Sequence, residues 1–313
     1  MQFRGQFSDF FFETMLPACN AKIWQNYKAK RQMAKLFLSG ETTTRSIEQY
    51  SLMAGVGLPT VVAEGEDTPT DSFVQGFNKT FKPLKYGLGI PATQELVEDD
   101  KMGIISKRAV KLSDSIYQAR EIQAASVLNN GFSSTDSNGN STLLPDGQPL
   151  FSASHPLVKV GGAQSNLMSV PADLDVSSLE IALTDWELIK THEGFLQMLP
   201  APKVWCASQN RWNVAEILKS QMRSDTANNT VNAFRFTETG SLVEALVWPF
   251  LTTPDAWGLI GPPDETEMLW LDRKAPYTKA DYVEKNETGI VYMRYRAAYG
   301  AYGWRAVYGT PGQ

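Results

Sequence analysis

From Met102 to Leu128 the chain reads MGIISKRAVKLSDSIYQAREIQAASVL, and the spacing within this stretch decides the fold. Ile105, Ala109, Leu112, Ile116 and Ala119 follow i, i+3 and i+4 steps, whereas Lys107, Arg108, Lys111 and Asp114 occupy other faces. That pattern predicts one long helix, about 40 Å at about 1.5 Å per residue. Thr93 is the candidate N-cap upstream, and Glu95 and Glu98 fall in a first turn where the helix dipole favours acids. Gly103 is a break near the start, and Asn130-Gly131 closes the run.

Towards the N-terminus the character changes. Between Thr44 and Lys85, Gly55, Gly57, Pro59, Gly65, Pro69, Gly76 and Pro83 punctuate short β-prone pieces such as Thr60–Ala63 and Phe73–Phe81. Glu64, Gly65, Glu66 and Asp67 form an acidic loop tip, flanked by strands with too few large side chains for a core of their own. A two-stranded hairpin is marginal alone, so this one must pack on its own subunit or on a neighbour. Ahead of it, Ala21–Leu38 reads as an amphipathic helix after a break at Pro17. Ile23, Tyr27, Ala34 and Leu38 share one side, and Lys22, Lys28, Lys30, Arg31 and Lys35 make much of the rest basic.

Towards the C-terminus, the Ser/Asn/Gly-rich stretch 133–141 reads as a surface loop. Ser177 or Ser178 caps a helix carrying Leu179, Leu183, Trp186 and Ile189. Lys203–Ala207 is a buried strand and Asn210–Met222 a second helix, together a small mixed domain. The remainder is β-rich: Ser241–Trp248, Trp257–Ile260, Met268–Leu271, Ala280–Lys285 and Gly289–Tyr308, with Gly300 and Gly303 marking a bend or bulge.

Composition narrows the function. The 313 residues are 42% hydrophobic and 20% charged, which excludes a disordered chain. Lys plus Arg total 29 against 34 Asp plus Glu, a net charge of −5, without the basic excess of a dedicated nucleic-acid binder. Cys19 and Cys206 stand far apart and read as reduced thiols. The N-terminus has no signal-peptide pattern and no stretch approaches the roughly 20 apolar residues of a membrane span, so the expectation is a soluble, cytosolic protein.

The chain offers little chemistry. Its two histidines are His155 and His192. Ser154 precedes His155, but neighbours in an extended segment point to opposite faces and no G-x-S-x-G elbow is present, so a turn-forming or a buried, hydrogen-bonded His155 outweighs a hydrolase. Gly55-Val56-Gly57 and Gly87-Leu88-Gly89 lack the third glycine and following helix of a nucleotide loop and read as turn glycines beside strands. His192-Glu193 lacks a second histidine, and the cysteines lack C-x-x-C partners, so no metal or cofactor is expected. Glu98, Asp99 and Asp100 serve the helix start rather than catalysis. Lys79, Lys82 and Lys85 are spaced along a strand, either as a solvated edge or as contacts for an acidic neighbour. The C-terminal aromatics Tyr292, Tyr295, Tyr299, Tyr302, Trp304 and Tyr308 suit packing better than stacking on bases.

The segment Asp146-Gly147-Gln148-Pro149-Leu150-Phe151-Ser152-Ala153-Ser154-His155-Pro156 resembles the major capsid proteins of tailed bacteriophages, in particular the Mu-like major head subunits. The resemblance extends to Thr226-Ala227-Asn228-Asn229-Thr230-Val231-Asn232 and to Val291–Arg296 with Gly300, Trp304 and Arg305. It implies an α+β, Hong Kong 97-type capsid fold: residues 1–43 an N-terminal arm, 44–85 an extended loop, 86–149 a peripheral domain with the long spine helix, 150–274 an axial domain, and 275–313 strands returning to the peripheral domain.

The same resemblance implies a structural, non-enzymatic subunit that forms hexamers and pentamers in an icosahedral shell around double-stranded DNA, assembled in the host bacterial cytoplasm. A modest acidity fits a lining that does not grip its genome. The long helix region begins by about residue 93, leaving no room for the N-terminal scaffolding region of many relatives, which implies a separate scaffolding protein. Portal and decoration proteins are further implied partners. Glu64, Glu66, Asp67, Lys79, Lys82 and Lys85 are the candidate inter-subunit contacts. No partner for a lysine cross-link is visible, so the shell is expected to be non-covalent. The rival readings are an encapsulin-like nanocompartment shell and a hydrolase using Ser154 and His155.

Overall fold

The computed structural model describes residues 7–99, 103–136, 139–220, 232, 234 and 244–313. Several expectations therefore lie outside the described residues: Asp100, the Met102 helix start, Gln221–Met222, the 226–231 part of the Thr226–Asn232 motif, and Ser241–Val243.

The N-terminal arm is helical earlier than Pro17 indicated. A helix α1 (Phe7–Phe10), a π-helical turn (Phe11–Met15) and α2 (Leu16–Ala29) follow without a gap. Pro17 sits in the first turn of α2, where its missing N–H is no loss. The helix stops at Ala29, and Met33–Leu36 is a separate 3-10 turn before strand β1 (Ser39–Thr42). Strands β2 (Glu48–Ala54) and β3 (Val74–Phe81) pair antiparallel, while the expected strand at Thr60–Ala63 is not one. Strand β4 (Leu84–Thr93) contains Gly87 and Gly89, so these are strand glycines and not turn glycines. At Gly89 an added Cβ would lie 2.6 Å from the Tyr292 ring on the adjacent strand.

Thr93 caps only α3 (Gln94–Glu98), accepting from the Leu96 amide. The long helix α4 (Ile104–Asn129) starts afresh at Gly103, which takes a left-handed conformation at φ 66°. Its apolar stripe is divided between two cores. Ile105, Ala109, Leu112 and Ile116 join Phe11, Met15, Cys19, Ile23 and Tyr27 of the arm over one sheet. Ala124, Ala125 and Leu128 join a larger core around Phe151, Trp186, Trp205 and Trp248.

After a two-stranded bridge of β5 (His155–Pro156) and β6 (Ala163–Gln164) comes α5 (Val176–Glu187). Its N-cap is Asp175, not Ser177 or Ser178: the Ser178 hydroxyl, one turn inside, accepts the Asp175 amide at 2.9 Å. Strand β7 (Lys203–Cys206), α6 (Arg211–Lys219), β8 (Glu244–Val247) and β9 (Trp257–Ile260) complete that body.

Met268–Leu271 and Ala280–Lys285 are not two strands: β10 (Met268–Val283) runs through both. Its register with β11 (Thr288–Ala301) slips between Asp272 and Tyr277, which accommodates Pro276 at a bulge. The first sheet has the order β1-β10-β11-β4. Strand β12 (Val307–Thr310) joins the second sheet, β12-β9-β7-β8. The last residues therefore leave the sheet that β11 shares with β4.

Two buried charges lock the arm, α4 and the sheets together. Arg120 donates to both carboxylate oxygens of Asp272 on β10, at 2.9 and 2.7 Å, and stacks over Trp270. Glu121 accepts from the Ala34 amide at 3.1 Å and from Trp248 Nε1 at 3.0 Å. Burial pushes its pKa up, against the pull of those donors.

Candidate functional site

The feature that stands apart from both cores is the β2–β3 hairpin and the loop 55–73 that joins its strands. Only Ala54 and Phe81 of the two strands are buried. No residue of the loop is buried, and Val61 is as exposed as in an open chain, at 101%, with Leu58 at 69% and Phe73 at 66%. Glu64, Glu66 and Asp67 lie at an exposed turn in which Gly65 has φ 85° and the Glu66 amide donates to the Ala63 carbonyl at 3.1 Å.

The base of the hairpin is fixed to its own subunit. Tyr50 stacks on Tyr302 at 5.2 Å and meets Phe81 edge-on at 5.6 Å, and Phe81 packs with Leu269 and Leu271. Next to it is a polar clasp. Lys159 donates to the Gly55 carbonyl at 3.0 Å and to Asp71 at 2.5 Å, and the Gly55 amide donates to Glu193. Asp71 also accepts the Gly57 amide at 2.7 Å, so the clasp pinches the two ends of the loop together.

The clasp has a pH signature. The Lys159 ammonium, helped by the Gly57 and Ser72 amides, holds the Asp71 carboxyl down at about 2 from an ordinary 3.8. A carboxylate depressed by folding contributes above its unfolded pKa and loses that contribution as pH falls through the folded one. Clasp opening is therefore expected between about pH 4 and pH 2. Lys159→Ala should raise proteolytic cleavage within 57–71 severalfold at neutral pH while leaving the melting temperature within about 1 °C, as befits an exposed ion pair. Unchanged cleavage would count against the clasp.

The lysines separate. Lys79 is turned inward, donating to the Leu143 carbonyl at 2.5 Å, with burial lowering its pKa against the pull of Asp146. It is engaged within its own chain, unlike Lys82 and Lys85, which are exposed. Lys79 and Lys82 line one groove of about 740 Å³ between the hairpin, the C-terminal half of α4 and β11, and the acidic tip residues are not part of it.

His155 is buried. Its Nδ1 lies 2.7 Å from Asp146 and its Nε2 3.1 Å from Asn166 Oδ1, and the ring stacks on Trp304 at 4.7 Å. Both nitrogens are taken, and Ser154 is on the surface, so no nucleophile and base meet and the Ser154/His155 hydrolase reading falls. His192 lies against a pocket with Asp146 and Glu267, but the space, about 10 Å³, is room for one water. Burial and Arg305 lower the His192 pKa to about 4. Among the described residues no cluster of His, Cys, Asp or Glu could hold a metal ion, and no helix is long and apolar enough to cross a membrane. Cys19 and Cys206 are buried free thiols.

Sequence reasoning missed Asp71, Lys159 and Glu193. Each is an ordinary surface residue in its own segment, and only the pairing across 88 and 138 positions gives them a role.

Comparison with known proteins adds a family and a fold. A family model described as "Phage capsid protein" matches residues 78–310. The capsid of Ralstonia phage GP4 superposes with a TM-score of 0.58 at 11% identity, covering 90% of this chain and 92% of that one. Mycobacterium phage Adephagia gives 0.54 at 11% identity, covering 91% of each chain. A virus-like particle from Pyrococcus furiosus gives 0.54 at 6% identity, covering 93% and 96%. No curated protein matches the chain.

Proposed function

This chain belongs to the phage capsid protein family, and from that premise we infer the assembly it builds. It is a structural major capsid protein with the Hong Kong 97-type fold, its role is not enzymatic, and its place is the capsid of the virion. Copies of one chain form the shell. We assign hexamers and pentamers as its units, closing into an icosahedral container for double-stranded DNA.

In this reading the hairpin and its loop are the extended loop. The α1–α2 arm, α4 and the β1-β10-β11-β4 sheet make the peripheral part, and the β12-β9-β7-β8 sheet with α5 and α6 the axial part. The observation that supports it most directly is the loop: residues 55–73 carry Leu58, Val61 and Phe73 at more than 65% exposure, and no buried side chain of their own. Such a surface gains a purpose when neighbouring copies cover it. Glu64, Glu66 and Asp67 at the tip, with Lys82 and Lys85, remain the proposed contacts, whereas Lys79 acts within its subunit.

Assembly in the host cytoplasm, a separate scaffolding protein, a portal and decoration proteins complete the proposal, as does the narrower Mu-like placement. Electron microscopy of the chain expressed alone and with the scaffolding protein of its phage is the test. Uniform closed shells are expected only from the co-expression, running as single subunits on denaturing gels. Uniform shells from the chain alone would remove the scaffold from the proposal, and a ladder of subunit multiples would contradict the non-covalent shell. A chain that stays monomeric in both cases would overturn the assembly itself.

A further inference from the structure

The overall charge of −5 conceals a local concentration of opposite sign. Residues 14–40 contain five cations and no acid, and along 103–120 Asp114 is the single acid. These two segments lie side by side. Asn26 of α2 donates to Asp114 of α4 at 2.7 Å, Lys30 pairs with the same carboxylate at 2.5 Å, and Tyr117 donates to the Arg31 carbonyl at 2.6 Å.

The seam between the helices is therefore basic. Lys22 and Asn26 stand one turn apart on the side of α2 that meets α4, and Lys30 follows just past the end of the helix. Lys107 and Lys111 form the matching stripe on α4, with Lys111 reaching Asp114 at 3.9 Å. Lys28, Lys30 and Lys35 also line an open depression of about 380 Å³. Asp114 partly neutralises Lys30 and Lys111, but Lys22, Lys28, Lys35 and Lys107 have no acid within ion-pair distance among the described residues.

We propose that this α2–α4 face is a binding surface for the phosphate backbone of duplex DNA. The inference rests on the capsid reading, which supplies the polyanion. Lysine is a compact charge on a flexible stem and suits phosphates without demanding a fixed geometry. The depression offers no apolar anchor of the kind a peptide partner needs, since Tyr27 is its one aromatic and is 7% exposed. Four uncompensated lysines give a weak, sequence-independent grip. A lining that is acidic in total can thus hold DNA at one stripe per subunit without arresting it.

The test is fluorescence anisotropy of the full-length chain with a labelled 30-bp duplex over a salt series. Binding is expected with a log–log salt slope near −3.6, about 0.9 for each of four phosphates. The variant K22Q/K28Q/K35Q/K107Q should lose at least tenfold in affinity at low salt and most of that slope. The control K219Q/K274Q/K279Q/K285Q, with four exposed lysines removed elsewhere, should retain both. Equal losses in the two variants, no loss in either, or tighter binding of polyglutamate than of DNA would overturn the assignment, the last in favour of an acidic protein partner. Formaldehyde cross-linking in DNA-filled particles gives a second readout, with adducts expected on peptides spanning 22–35 and 107–111. Filled particles without adducts there would sink this face alone, and particles that hold no DNA would sink the capsid reading with it.

Discussion

Asp272→Ala is expected to remove about 3–5 kcal/mol of stability, because it leaves the Arg120 guanidinium buried without its counter-charge. The Arg120 side chain is 4% exposed, donates to Asp272 at 2.9 and 2.7 Å, and lies over Trp270 and Tyr295 at 4.5 and 5.2 Å. Domains are stable by about 5–15 kcal/mol in total, so the variant sits near unfolding, with a fall in melting temperature on the order of 10 °C. The double variant Arg120→Leu with Asp272→Ala should recover most of the loss, since neither charge is then stranded. Thermal unfolding followed by circular dichroism measures both, and a single variant as stable as the parent would show that the pair does not tie α4 to β10.

The location of that pair explains its weight. The helix α4 sends buried side chains into both cores, through Ile105–Ile116 at one end and Ala124–Leu128 at the other, as β11 does through Val291–Ala297 and Ala301. Arg120 and Glu121 lie between those two sets and reach in different directions, Arg120 to β10 and Glu121 to the arm and Trp248. The helix is therefore held by charge at the point where its apolar stripe passes from one core to the next.

What could be read from sequence follows the range of the interaction. The α4 periodicity, the break at Gly103 and the coreless hairpin are local patterns, and each is present in the structure. Pro17 misled because proline marks the loss of a donor, and the first turn of α2 does not need that donor. His155 was legible as a turn-forming or a buried, hydrogen-bonded histidine, but Asn166 and Trp304 as its partners were not. The clasp and the basic seam were out of reach because they depend on which distant segments become neighbours. Lys22, Lys28, Lys30, Arg31 and Lys35 were visible as the polar side of one helix, and only α4 alongside, with Lys107 and Lys111, makes them a surface.

Removing the loop tip is expected to leave the fold intact and to abolish assembly. Replacement of residues 58–69 by Gly-Ser-Gly deletes no buried side chain, so neither core loses a contact. The ends can be joined without strain, because the Gly57 amide lies 2.7 Å from the Asp71 carboxylate and Lys159 holds Gly55 and Asp71 together. Stability should therefore stay within about 1 kcal/mol of the parent, as for a loop shortened on the surface. Assembly has no such protection. The deletion takes Leu58, Val61 and Val62 from every copy, and apolar side chains of this size contribute about 1.5–3 kcal/mol each when fully buried. An interface repeated in every subunit of a closed shell multiplies that loss by the number of copies. Sedimentation and electron microscopy should find folded subunits and no shells, with an unchanged circular dichroism spectrum. Shells of normal size from the shortened chain would mean that the exposed loop is not the surface through which copies recognise one another.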